Sequence, residues 1–177
     1  IIRDGRDTAL SLLEWADGKK GPGKLELWRT EPVAACALWW RWMVNQGRHA
    51  GRGMERYDEV RYEKLVGDPR GALERISDFL DLPMATEMLK FHEGKTRSVP
   101  GKSAKSNWLP PTQGLRDFRI HMSGRDVELF EAIAGDLLDE LGLQRVAPTP
   151  SPAIGDVARR ANDWWTEHVA HREDKEL

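Results

Sequence analysis

One cysteine in 177 residues excludes an internal disulfide, so nothing covalent staples this chain and a reducing compartment suits it. That cysteine, Cys36, sits inside an apolar helical run and reads as a small buried side chain rather than a nucleophile. No apolar run approaches the roughly 18 residues that a membrane-spanning helix needs. The first residues also lack the basic, apolar, small-residue order of a signal peptide. The expectation is a soluble, cytoplasmic protein with no membrane span. A basic excess is missing too: 27 Lys and Arg stand against 29 Asp and Glu, which argues against a nucleic-acid partner and requires any anion site to be local. The five histidines, His49, His92, His121, His168 and His171, show no ligand spacing, so no metal is expected. What the chain does have is 40% hydrophobic content, enough for one domain with a core.

Ile1 and Ile2 read as the tail of a buried parallel strand, being an apolar pair bounded by a charged turn. Ala9, Leu10, Leu13 and Trp15 then suit a helix from Arg6 to about Asp17, which "GKKGPG" breaks. A long helix is expected from Glu31, with Pro32 in its first turn and Ala35, Leu38, Trp39, Trp42 and Met43 on its apolar face. Trp40 falls on a neighbouring face. Tyr57, Val60 and Tyr62 in "RYDEVRYEKLV" alternate as in a short strand. Asp68 is then a natural N-cap and Pro69 an N1 residue for a helix carrying Leu73, Ile76, Phe79 and Leu80 at core spacing. A short helix is expected around Met84 to Phe91, and Ser123 caps a strongly amphipathic helix that runs to Leu141. Residues 146–153 read as a proline-rich linker, and 154–177 as a peripheral helix with Trp164 and Trp165. No internal repeat is present.

Two places suggest chemistry. Between Lys95 and Arg119 a long loop holds Lys95, Arg97, Lys102, Lys105, Arg116 and Arg119 against one acid, Asp117, and so forms a local anion site. Arg3 stands where a parallel strand hands over to a helix, a position at which backbone N–H groups and the helix dipole attract an anion. A guanidinium there can grip a phosphate bidentately, and the Ser11 hydroxyl can join it if its turn faces the same cleft.

Taken in order, "IIRDGRDTALS", "VRYEKLVGDPRGALERISDFLDLP", a basic loop ending "GLRDFR", and "FEAIAGDLLDELG" resemble the carboxyl-terminal part of the sulfotransferases that use 3′-phosphoadenosine 5′-phosphosulfate. The resemblance spans about residues 1–145 and is nearest to the bacterial branch related to carbohydrate and tyrosylprotein sulfotransferases. It implies an α/β, three-layer P-loop NTPase-like fold, N-terminally truncated and therefore mostly helical with one or two short parallel strands. It also implies transfer of a sulfuryl group from that nucleotide co-substrate to a hydroxyl or amine acceptor, without a metal. In this likeness Arg3 and Ser11 hold the 3′-phosphate and Tyr62 contacts the adenine; Glu63 beside it reads, on its own, as a buried structural carboxylate. The Arg-Lys-Gly triplet that closes on the 3′-phosphate in the cytosolic branch does not occur here, which makes Arg97, Lys102 and Arg116 candidates for that task. Trp28 and Trp108 are candidates for an acceptor pocket.

In the family the loop that cradles the 5′-phosphosulfate and the usual catalytic base both precede the Arg-to-Ser motif. The catalytic residues are therefore expected upstream of Ile1, and the sequence reads as the distal portion of an enzyme, inactive alone. Two alternatives stay open: a non-catalytic nucleotide-binding or interaction module, and a P-loop kinase relative.

Overall fold

The computed structural model describes residues 1–16, 26–93, 114 and 116–170. "GKKGPG" and most of the basic loop, including Arg97, Lys102 and Trp108, lie outside the described residues. Seven α-helices are described: α1 Gly5–Ala16, α2 Pro32–Arg52, α3 Tyr62–Gly67, α4 Pro69–Phe79, α5 Phe118–His121, α6 Gly124–Glu140 and α7 Pro152–Trp165. Two short 3-10 helices, Glu26–Arg29 and Thr86–Glu93, and a π-turn, Thr166–Ala170, complete the secondary structure. The described chain is thus mostly helical, as expected, and its β-structure is one parallel bridge between Ile2 and Arg61. None of its helices is long and apolar enough to cross a membrane.

The chain divides into two compact units. The larger comprises Asp4–Glu55 and Arg116–Leu177. At its centre α2 packs against α1, α6 and α7. Val33, Ala34, Ala35, Cys36, Ala37 and Leu38 are all buried, so the first half of α2 is enclosed on every side instead of presenting one stripe. The small residues let the neighbouring helices come close. That corrects the expected apolar face: Trp40 is the tryptophan of this run in the core, its ring 5.8 Å from that of Phe130, whereas Trp39 and Trp42 are half-buried at the edge and Met43 is exposed. Ser123 caps α6 as expected, its hydroxyl accepting the Asp126 N–H at 3.1 Å. The last helix is not peripheral, since Ile154, Ala158, Ala161 and Trp165 are buried in the same core as α2 and α6. Nor is the segment before it a free linker. The backbone N–H groups of Val146, Ala147 and Ser151 all donate to carboxylates of α6.

The smaller unit comprises Ile1–Arg3 and Arg56–Leu115. Ile2 N–H donates to the Val60 carbonyl and Tyr62 N–H to the Ile2 carbonyl, both at 2.8 Å. The expected strand through Tyr62 stops there. Leu65 N–H donates to the Arg61 carbonyl at 3.0 Å, so Tyr62 already opens α3. Asp68 caps α4 by accepting the Gly71 N–H at 3.0 Å, with Pro69 at N1, as the sequence indicates. The expected core face of α4 is less buried than its spacing suggests: Leu73, Ile76 and Phe79 are half-buried and Leu80 is exposed.

Candidate functional site

In the smaller unit the bridge sets Arg3 beside Tyr62. The Arg3 guanidinium carbon lies 4.9 Å from the centroid of the Tyr62 ring, a cation–π distance, and both residues are half-buried. Two segments that lie about sixty residues apart in sequence therefore meet through two of the expected site residues. Glu63, expected to be a buried carboxylate, is exposed and lies 3.9 Å from Arg61.

A cleft of about 630 Å³ opens in the same unit, lined by backbone and side chains of Glu59–Arg61, by Lys64 and Gly67, and by the first half of α4 from Asp68 to Arg75. None of the expected site residues that are described, Arg3, Ser11, Tyr62 and Arg116, lines it. Its charge is mixed: Arg75 is bound to Asp58 at 2.6 Å, and Asp68 is engaged as the helix cap. Arg61, Lys64 and Arg75 share its lining with Glu59 and Asp68.

In the larger unit Ser11 is half-buried in the second turn of α1. One turn further along the same helix face is Glu14, which accepts from Arg116 Nε at 3.1 Å and from its terminal nitrogen at 2.8 Å. Arg116, a candidate for closing on phosphate, thus has a carboxylate partner on α1. Trp28 is half-buried against the core and lines no described cavity. His49, His121 and His168 are exposed, and no group of three metal-binding side chains occurs among the described residues.

Sequence reasoning missed the most tightly built polar feature of the molecule. Arg6, inside the same "RDGRD" motif as Arg3, has no exposed surface. Its Nε and one terminal nitrogen donate to the two Asp4 carboxylate oxygens at 3.0 and 2.8 Å. The other terminal nitrogen donates to Glu131 at 2.5 Å and to the Gln144 carbonyl at 3.0 Å. The guanidinium also lies 3.9 Å from the centroid of the Phe118 ring. Burial acts to lower the Arg6 pKa, but bonds and charges from Asp4 and Glu131 outweigh it and hold the value above the ordinary one. Of the two arginines in the motif, Arg6 is therefore committed to the interior. The pattern hint was available: Glu131 falls between Phe130 and Ile133, next to the buried face of α6, where an acid requires a partner.

Comparison with family models, curated proteins and solved structures finds no match for this chain.

Proposed function

We propose that this chain carries the nucleotide-binding half-site of a cytoplasmic sulfotransferase of the P-loop NTPase-like fold, which transfers a sulfuryl group from 3′-phosphoadenosine 5′-phosphosulfate to a hydroxyl or amine. The observation that carries the reading is the placement of Arg3 over Tyr62, because the resemblance assigns these two residues, on distant segments, to the phosphate and the adenine of one nucleotide. A guanidinium beside an aromatic ring fits that ligand: the cation matches a phosphate and the ring matches a purine face. The parallel sense of the Ile2–Arg61 bridge also suits the sheet of such a fold.

In this reading Arg3 binds the 3′-phosphate and Tyr62 orients the adenine, both within the smaller unit. The nucleotide supplies the sulfuryl group, which an acceptor oxygen or nitrogen attacks in line while the adenosine bisphosphate leaves. These residues contribute by fixing the leaving nucleotide in place, since such a transfer depends chiefly on positioning and charge stabilisation. Arg116 pairs with Glu14 at 2.8 Å.

The test is calorimetric titration with 3′-phosphoadenosine 5′-phosphate, with ADP as comparator. The expected result is a preference for the 3′-phosphorylated nucleotide that Arg3→Ala reduces by about tenfold or more, the effect of losing a charge-assisted hydrogen bond. Tyr62→Ala weakens both nucleotides. Equal binding of ADP points to a kinase-like relative, and a folded chain that binds neither overturns the proposal.

A further inference from the structure

Glu131 is 1% exposed, yet it accepts four hydrogen bonds from two directions. From one side comes Arg6, at 2.5 Å. From the other come the backbone N–H of Val146, at 3.0 and 2.9 Å to the two carboxylate oxygens, and that of Ala147 at 2.7 Å. Arg6 in turn reaches the Gln144 carbonyl and is fixed by Asp4, whose carboxylate also accepts the Arg6 backbone N–H at 2.9 Å. Asp4 starts α1: its carbonyl accepts from the Thr8 N–H at 3.0 Å and from the Thr8 hydroxyl at 2.9 Å. One buried charge cluster therefore links the strap of residues 144–147 to the first turn of α1.

Such a cluster is stable complete and costly in part. If the strap lifts, Glu131 loses two backbone donors and Arg6 loses a carbonyl, leaving charges in an apolar core without enough partners. If the first turn of α1 frays, Glu131 loses the Arg6 cation. Neither end has a cheap intermediate, so the two order and disorder together.

We infer that Asp4, Arg6 and Glu131 form a coupling element in which Glu131 is a positioning residue: docking of the 144–147 strap and ordering of the first turn of α1 control one another. Resting on the sulfotransferase reading, the coupling extends to the nucleotide, because that turn belongs to the Arg3-to-Ser11 motif. By linkage, nucleotide binding tightens the strap and strap release weakens the nucleotide by the same factor.

Amide hydrogen exchange on the full chain decides this, with Glu131→Gln and Ala147→Pro as variants. Ala147→Pro removes the 2.7 Å donor at a residue that already precedes Pro148 and leaves the Glu131 carboxylate in place, so it keeps the coupling testable if Glu131→Gln fails to fold. Coupling predicts that either variant speeds exchange at Val146 and also at Arg6 and Thr8, while Leu38 in the middle of the core stays unchanged. Faster exchange at Val146 with Arg6 and Thr8 unmoved overturns it. In the wild type, 3′-phosphoadenosine 5′-phosphate should slow exchange at Val146 and Ala147, and the variants should bind it roughly tenfold more weakly, within the usual range of coupling between sites. Binding without that slowing overturns the extension to the nucleotide. If the wild type binds no nucleotide, the functional reading fails by itself, and the ligand-free exchange still decides the coupling.

Discussion

Cys36 shows how much a residue's chemistry depends on its surroundings. Its thiol is wholly buried among α2 and its neighbours, and burial pushes its pKa up to about 12. The thiolate is the reactive form, so the native protein should leave a thiol reagent unreacted at pH 8, and denaturant should release one reactive thiol per chain. Prompt labelling of the native state would contradict this packing. Glu128 illustrates the opposite case, a half-exposed group tuned by one contact. Bonds from the Ser151 backbone N–H, and then from its side chain, hold the Glu128 carboxyl below its usual pKa. A depressed folded-state pKa means that this contact favours the fold above the unfolded pKa and ceases to do so as pH falls through the folded value. An NMR titration should find Glu128 ionising at lower pH in the wild type than in Ser151→Pro, where the donor is gone.

Among the elements, two helices end in the same way with different residues. After α6, Gly142 adopts φ +67° while its N–H donates to the Asp139 carbonyl and the Leu143 N–H to that of Leu138. After α4, Asp81 adopts φ +55° while its N–H donates to the Asp78 carbonyl and the Leu82 N–H to that of Ser77. Both are Schellman caps, and only the first has the residue that this backbone favours. Asp81→Gly should therefore raise stability by up to about 1 kcal/mol, because the exposed Asp81–Arg56 ion pair it removes contributes little. Gly142→Ala should lower stability by about 1 kcal/mol. Urea melts compare both directly, and a destabilised Asp81→Gly would mean that the ion pair outweighs the backbone. Caps were the most legible elements of the sequence: Asp68 with Pro69, and Ser123, act as their residue types dictate. Tyr62 was not legible, because alternation of apolar residues does not reveal where a strand stops when, among the described residues, its partner is the single residue Ile2.

At the level of the whole molecule, the two units differ in how much they bury. The larger holds the entire main core cluster, whereas in the smaller only Ile2, Val66 and Ser77 are buried among the described residues. Leu80, Leu82, Met88 and Phe91 remain exposed there. Local opening free energy follows buried apolar contact, so amides of α3 and α4 should exchange well before those of α2 and α6. Protease cleavage of the native chain should likewise fall between residues 56 and 93 ahead of the helices in the larger unit. Uniform protection across both units would refute this ordering.

The sequence alone determined the longer helices and the caps of α4 and α6, because these follow from local propensity and capping chemistry. It also singled out Arg3 and Tyr62, by resemblance. Only the tertiary structure decided which residues those patterns bury. Trp40 displaces Trp39 and Trp42 from the core because α2 is surrounded by three helices, and α7 joins that core although its sequence reads as an appendage. The roles of the two arginines in "RDGRD" separate for the same reason. Arg6 is buried where Glu131 and Gln144, from a distant part of the chain, meet the neighbouring Asp4, while Arg3 stacks on Tyr62. Local sequence cannot express such a convergence, since burial and charge pairing depend on what the rest of the chain brings to the spot.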